Sequence, residues 1–367
     1  MTAKPRGRAA FSWTDWRHRL PLLLKTIAIG AAGGALFTWL HTPLPWMLGA
    51  LCFTSLAALG GAKLFLPPDL RRVMMAVLGV LLGSAFSPDL MEQVGQWPWT
   101  LLGMLVFVLL GGGLATLFLM RFGKMDGPTA FFSAAPGGLS EMILIAPTMG
   151  ADERQVALIH ATRIVMVMLI LPPAFRIFSG YVPPEDLGSG GSILGLALWD
   201  LFLLTLCAVV GVVVGRRLRF PAWQMTGPML ASAIVHVTGL TSARPPYEIL
   251  AVAQVIIGAG AGARFSGIPW SALARPMMLS AITTAGLVAL AFVFALVLGE
   301  VTGLDFRGIL LAYAPGGFAE MNLIALSLGI EVAFVAIHHT CRIFLVVMLA
   351  TWLSQFFWKR PARAAPD

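Results

Sequence analysis

The sequence predicts an all-α polytopic membrane protein built from two inverted repeats. Of its 367 residues, 58% are hydrophobic and 11% are charged, and the mean hydropathy is +0.85. A soluble domain carries about 25% charged residues, so this composition is typical of a membrane protein. A motif containing Pro-Gly-Gly and a glutamate occurs twice, and the loop charges around its two copies are reversed.

Apolar segments long enough to cross a hydrocarbon core of about 30 Å recur along the chain. We identify about twelve: 21–39, 44–60, 70–86, 97–119, 128–149, 153–175, 193–214, 223–239, 248–265, 274–299, 306–328 and 332–356. No soluble domain fits between them. We therefore divide the chain into a basic cytoplasmic arm, a first membrane repeat, a linker rich in Pro, Gly and Ser, a second membrane repeat and a basic cytoplasmic tail: 1–20, 21–180, 181–192, 193–356 and 357–367.

The net charge of +8 is concentrated beside the first and last segments. The basic residues there are Lys4, Arg6, Arg8, Arg17, Arg19, Lys359, Arg360 and Arg363. Such flanks fix orientation in a membrane, and they contain no zinc-finger, homeodomain or helix-turn-helix pattern. We expect both termini to be cytoplasmic, no cleaved signal peptide and no direct binding of nucleic acid.

An internal duplication relates the two halves of the chain. "AAPGGLSEMILIA" begins at Ala134 and "YAPGGFAEMNLIA" at Tyr313, an offset of 179 residues. From Ala135 to Val167, 16 of 33 positions are identical to their partners at this offset, where biased composition would give roughly three or four. Duplicated halves are a common architecture of secondary transporters.

Loop charges indicate that the halves have opposite orientations. In the first half the second and fourth loops are basic, whereas in the second half the first and third loops are basic: Lys63, Arg71, Arg72, Arg121 and Lys124 against Arg216, Arg217, Arg219, Arg264 and Arg275. Because positive residues stay on the cytoplasmic side, equivalent loops should face opposite sides of the membrane.

Inversion requires an odd number of crossings in each half, yet each half has six apolar segments. The segment that carries APGG is the best candidate to enter and leave on one side, because proline and two glycines free backbone groups that lipid cannot satisfy. Pro136, Gly137, Gly138, Pro315, Gly316 and Gly317 would form this broken backbone. The prediction is about ten crossings plus two re-entrant or broken segments; the alternative is twelve plain transmembrane helices.

Ionisable residues recur at matched positions inside the apolar segments. They are Glu141 and Glu320, His160 and His339, and Arg163 and Arg342. Charged groups inside a membrane usually pair or line a pathway, so we expect a Glu–Arg pair in each half and a polar cavity between the two APGG segments. The glutamates would contact solute or couple ions, the arginines would be counter-charges and the histidines would relay protons. The alternative is that these are structural ion pairs.

Other polar residues lack this duplication. His236 and His338 have no mates, and Cys52, Cys207 and Cys341 are isolated within apolar segments. The glycines of "GVLLG" and "GAGAG" are spaced for close helix packing. A metal-dependent oxidase would need about three converging ligands, and no HxxxH or ExxH pair is present, so we expect no metal and no cofactor.

The duplicated "APGG(L/F)(S/A)EM" with a downstream His and Arg resembles the AbrB-type bacterial membrane family over nearly the whole chain. Members of that family are labelled ammonia monooxygenases or AbrB-like regulators. The resemblance therefore implies regulation of gene expression or an oxygenase. In broad architecture the family is similar to secondary transporters with inverted repeats and broken helices.

We conclude that the sequence favours a secondary transporter of a small solute in the bacterial inner membrane, coupled to protons. Its partners would be the lipid bilayer, the solute and protons; a homo-oligomer is left open. The rival class is a membrane-embedded regulator or sensor. A membrane-bound monooxygenase is the enzymatic alternative.

Overall fold

The structure, a computed structural model, describes residues 13–86, 94–179 and 191–357, and these are mainly helical. Within these ranges there is no β-strand. The helices are α1 (Trp13–Trp39), α2 (Pro45–Leu59), α3 (Pro68–Gly83), α4 (Trp97–Arg121), α5 (Gly127–Ala134), α6 (Leu139–Ile145), α7 (Glu153–Ser179), α8 (Leu198–Arg217), α9 (Trp223–Val237), α10 (Tyr247–Gly262), α11 (Trp270–Thr302), α12 (Phe306–Tyr313), α13 (Phe318–Ser327) and α14 (Val332–Phe357). Most of the predicted N-terminal arm, the linker and the C-terminal tail lies outside the described residues.

Seven of the described helices are long and apolar enough to cross a membrane. These segments lie in α1, α4, α7, α8, α10, α11 and α14. α2 and α9 have 15 residues each and α3 has 16, whereas a straight crossing needs about 20. Length and composition alone therefore support a protein with several membrane-spanning helices.

Each APGG segment separates two short helices. α5 ends at Ala134 and α6 begins at Leu139, while α12 ends at Tyr313 and α13 begins at Phe318. Gly138 and Gly317 are in extended backbone at the starts of α6 and α13. The bounds of α5 and α12 keep the 179-residue offset.

The first turns of α5 and α12 have the same cap. The carboxylate of Asp126 accepts a hydrogen bond from the backbone N–H of Thr129 at 3.1 Å. The carboxylate of Asp305 accepts one from the backbone N–H of Arg307 at 2.9 Å. Aspartate is a preferred N-cap because it satisfies a backbone donor that has no helical partner.

Helices of one half pack on helices of the other through glycines. A Cβ at Gly79 of α3 would overlap the carbonyl oxygen of Met225 in α9, and a Cβ at Gly258 of α10 would overlap that of Met47 in α2. Only glycine permits this backbone approach. The predicted packing role of the "GVLLG" and "GAGAG" glycines is confirmed.

The long helices α4 and α11 run antiparallel. Gly103 near the start of α4 faces Leu298 near the end of α11, and Gly111 further along α4 faces Leu287 and Leu290. By contrast, α3 and α9 run parallel, since Gly79 approaches Met225 and Gly83 approaches Met229.

Candidate functional site

The broken end of α5 is capped by two side chains of α7. His160 Nε2 lies 2.8 Å from the carbonyl oxygen of Phe132. The Arg163 guanidinium donates to the carbonyl oxygens of Ser133, Ala134 and Ala135 at 2.6, 3.2 and 2.9 Å. The last carbonyl groups of a helix have no backbone N–H donor within the helix. Because the helix stops before Pro136, the side chains of His160 and Arg163 bind these carbonyl oxygens instead.

The broken end of α12 has the same arrangement on α14. His339 Nε2 lies 3.0 Å from the carbonyl oxygen of Leu311. The Arg342 guanidinium donates to the carbonyl oxygens of Ala314, Tyr313, Gly316 and Ala312 at 2.6, 3.2, 3.2 and 3.5 Å. It also lies 3.1 Å from His339 Nδ1. His339 therefore contacts both the end of α12 and the arginine that caps it.

All four capping side chains are buried, with exposed fractions of 2% or less. A helix C-terminus carries partial negative charge. In each half this helix end, and no carboxylate among the described side chains, is the partner of the guanidinium. The arginines are therefore stabilised by carbonyl dipoles, and they hold the two breaks in place.

The predicted ion pair between Glu320 and Arg342 is not formed. Among the described side chains, the ion pairs are those of Asp69 with Arg72 and of Asp305 with Arg307. The prediction was wrong because the carbonyl groups freed by Pro315 occupy the guanidinium. The side chain of Glu141, and hence its predicted pair with Arg163, lies outside the described residues.

Glu320 instead lines a small cavity at the start of α13. The cavity has a volume of about 70 Å³ and is bordered by Gly138 and Gly317, so the ends of both breaks face it. The Glu320 carboxylate folds back over Gly317, where a Cβ would overlap it. The sequence predicts a polar cavity between the two APGG segments, and this cavity is lined by the last glycine of each segment.

Three arginines share this cavity with Glu320. Arg71 and Arg72 come from the first turn of α3, and Arg264 from the 3-10 turn Ala263–Phe265 that follows α10. Arg264 lies within electrostatic range of both Glu320 and Arg71. Arg72 is paired with Asp69, so among the described lining residues two cations, Arg71 and Arg264, face one carboxylate.

Sequence reasoning missed the cavity arginines because they break the duplication. At the 179-residue offset, Arg71 corresponds to Leu250 and Arg264 to Ala85. The sequence therefore identifies them only as basic loop residues. In the structure the Arg71 side chain passes 3.7 Å from where a Cβ of Gly260 would lie, one turn before Arg264, and no pattern in the sequence marks this proximity.

The unmatched histidines are held by partners of their own. His338 contacts the hydroxyl of Thr100 and the carbonyl oxygen of Phe334, each at 2.8 Å. His236 contacts the carbonyl oxygens of Ser232 and Ala243, also at 2.8 Å. Both ring nitrogens of each residue therefore have partners within the protein. No group of three or more His, Cys, Asp or Glu side chains in the described part of the chain could hold a metal ion.

The architecture is that of an all-helical chain suited to a membrane, with two interrupted helices facing a charged cavity. Residues 46–358 match the family described as "Transition state regulatory protein AbrB". The chain belongs to this AbrB family, which confirms the resemblance predicted from the duplicated motif.

Two relatives match almost end to end. "Uncharacterized protein YhjN" of Bacillus subtilis (strain 168) is 30% identical over 349 residues, which cover 88% of this chain and 90% of that protein. "Putative regulator AbrB" of Escherichia coli (strain K12) is 26% identical over 342 residues, which cover 89% of this chain and 94% of that protein. The similarity therefore extends across both halves.

Proposed function

We propose that this chain is a secondary transporter of a small solute, coupled to protons and multi-pass in the cytoplasmic membrane. The observation that carries the proposal is the cavity bordered by Gly138, Gly317 and Glu320. Interrupted helices provide the binding sites of many transporters, because their free backbone groups and half-helix ends face the solute. A carboxylate in such a cavity is suited to bind a proton or a solute group.

The directions of equivalent helices support two inverted repeats. At the sequence offset α4 corresponds to α11, and these two helices run antiparallel. α2 corresponds to α9, and α3 packs on α9 just as α10 packs on α2. A twofold axis in the membrane plane produces such an exchange, and the reversed loop charges point the same way.

In this arrangement each half would cross the membrane five times. The crossings would be α1, α2, α3, α4 and α7 in the first half and α8, α9, α10, α11 and α14 in the second, of which α2, α3 and α9 are shorter than a straight crossing. The α5–α6 and α12–α13 segments would be re-entrant, with both chain termini cytoplasmic. The arginine caps support this, since irregular backbone within a membrane must find partners inside the protein.

We retain a membrane-embedded regulator as a second candidate. The observation that favours it is the name of the matching family and the printed name of the Escherichia coli relative. Such a protein would bind its solute at the same cavity and pass the signal to a partner. Transport across a sealed membrane separates the two candidates.

Uptake into proteoliposomes with an imposed pH gradient tests transport. We expect a small solute to accumulate with wild-type protein and not with Glu320→Gln, which keeps the shape of the side chain but cannot ionise. Glu300→Gln, at the exposed end of α11, is the matched control and should transport normally. A gradient-dependent uptake that Glu320→Gln leaves unchanged would remove the coupling role of this residue. No uptake of any solute by folded wild-type protein would favour the regulator.

A further inference from the structure

The described residues that line the cavity between the two breaks carry more positive than negative charge. They include Arg71, Arg72 and Arg264 and one carboxylate, that of Glu320. Because Arg72 already pairs with Asp69, the remaining balance is two guanidinium groups against one carboxylate. Arg71 and Arg264 are half-buried, and a partly desolvated cation is stabilised by a further acceptor.

Neither of the two remaining guanidinium groups finds an acceptor in the described part of the protein. Arg264 makes no hydrogen bond or ion pair there, although Glu320 is within electrostatic range. Arg71 donates no side-chain hydrogen bond there, and its Nε is buried without a partner. The Nε atoms of Arg163 and Arg342 are also buried without a partner, but the terminal guanidinium nitrogens of these two arginines donate to carbonyl oxygens.

We infer that the solute is a small anion with a carboxylate or comparable oxyanion group, held by Arg71 and Arg264. The inference rests on the proposed function and names the solute class for that same site. A guanidinium matches a carboxylate with two parallel hydrogen bonds. The backbone at the start of α13, behind Gly317, adds partial positive charge on the same side.

The size of the cavity limits the anion to a short one. A water molecule needs roughly 10–15 Å³ of such space, and the cavity offers about 70 Å³. It therefore accepts a molecule of about five non-hydrogen atoms. Acetate and pyruvate are of this size, whereas citrate is too large.

Glu320 would compete with the anion for Arg264. The carboxylate of Glu320 lines the same cavity as Arg264. Removing its charge should therefore strengthen anion binding, and removing an arginine should weaken it. These opposite signs separate a binding site from a merely structural charge cluster.

Thermal unfolding of the detergent-solubilised full chain tests the inference without requiring transport. Acetate and pyruvate should raise Tm of the wild-type protein in a saturable manner, and choline, added as its chloride with matched chloride throughout, should not. The apparent Kd should rise about tenfold or more in Arg71→Gln and Arg264→Gln, and fall in Glu320→Gln. Arg264→Lys, which keeps the charge, should retain part of the affinity. Arg217→Gln, at the exposed end of α8, is the matched control and should bind as the wild type does.

Two results would overturn the anion site: equal stabilisation by choline, or an acetate effect that persists in folded Arg264→Gln and Arg71→Gln. Failure of the proposed function looks different. Anion binding without uptake in proteoliposomes would retain this site and remove transport, whereas uptake of a neutral or cationic solute without an anion effect on Tm would retain transport and remove this inference.

Discussion

The guanidinium of Arg342 donates a 2.6 Å hydrogen bond to the carbonyl oxygen of Ala314, the residue just before Pro315. Arg163 makes the corresponding bond to Ala135, before Pro136, at 2.9 Å. Each helix break is thus capped by an arginine from the next long helix, α7 for the first break and α14 for the second. Proline ends the half-helix, and arginine satisfies the carbonyl groups that this leaves free.

Arg342→Gln should destabilise the protein strongly. A glutamine amide cannot reach four carbonyl oxygens, and hydrogen bonds from a charged donor contribute about 1.5–3 kcal/mol each, so we expect a loss of about 3 kcal/mol or more. Thermal unfolding in detergent measures it. Arg307→Gln is the control: it breaks an exposed ion pair with Asp305, which is worth about 0–1 kcal/mol. Equal Tm values for the two variants would contradict the capping role.

Glu320→Gln should not rescue the stability lost in Arg342→Gln. Rescue is expected when two charges neutralise each other, because removing one leaves the other buried and unpaired. Here the partners of Arg342 are carbonyl oxygens and His339. The double variant should therefore be no more stable than Arg342→Gln alone, by the same unfolding measurement. A clear recovery of Tm would re-establish the ion pair.

These pairings show where prediction from the sequence succeeds and where it fails. The duplication singled out His160, His339, Arg163 and Arg342, and each pair occupies equivalent places. Their partners could not be predicted, because every residue has a backbone carbonyl group and the sequence does not mark which one accepts. A charged arginine inside a membrane predicts a carboxylate partner. The observed partners of Arg342 include carbonyl groups of the broken helix.

The fold was easier to predict than the site. Apolar length gave the long helices, and Pro-Gly-Gly marked the ends of α5 and α12. The shorter α2, α3 and α9 are built for contact with other helices, and their packing depends on glycines such as Gly79 and Gly258. The cavity arginines escaped because nothing in a single sequence distinguishes a basic loop residue from one that turns inward.

Gly79→Ala and Gly258→Ala should each destabilise the protein by about 1–3 kcal/mol, because the new methyl group would push apart helices that touch through their backbones. Gly286→Ala in α11 is the matched control, since a Cβ there meets nothing within 4 Å. Alanine is favoured over glycine inside a helix by about 1 kcal/mol, so this control should be neutral or stabilising. Thermal unfolding of the three variants tests the contrast. Similar changes in all three would show that helix propensity, and not close packing, determines the effect.

The ends of α4 and α11 should lie on opposite sides of the membrane. Arg121 and Glu300 are matched at the 179-residue offset and are both exposed, near the ends of two helices that run antiparallel. In a protein without its three native cysteines, single Arg121→Cys and Glu300→Cys variants can be labelled in intact cells with a membrane-impermeant maleimide. We expect Glu300→Cys to react from outside and Arg121→Cys only after the cells are opened, because the basic fourth loop of the first half should stay cytoplasmic. Reaction of both from the same side would exclude inverted repeats, and with them the ten-crossing arrangement. Exchanged sides would keep the inversion and reverse the orientation of the whole chain.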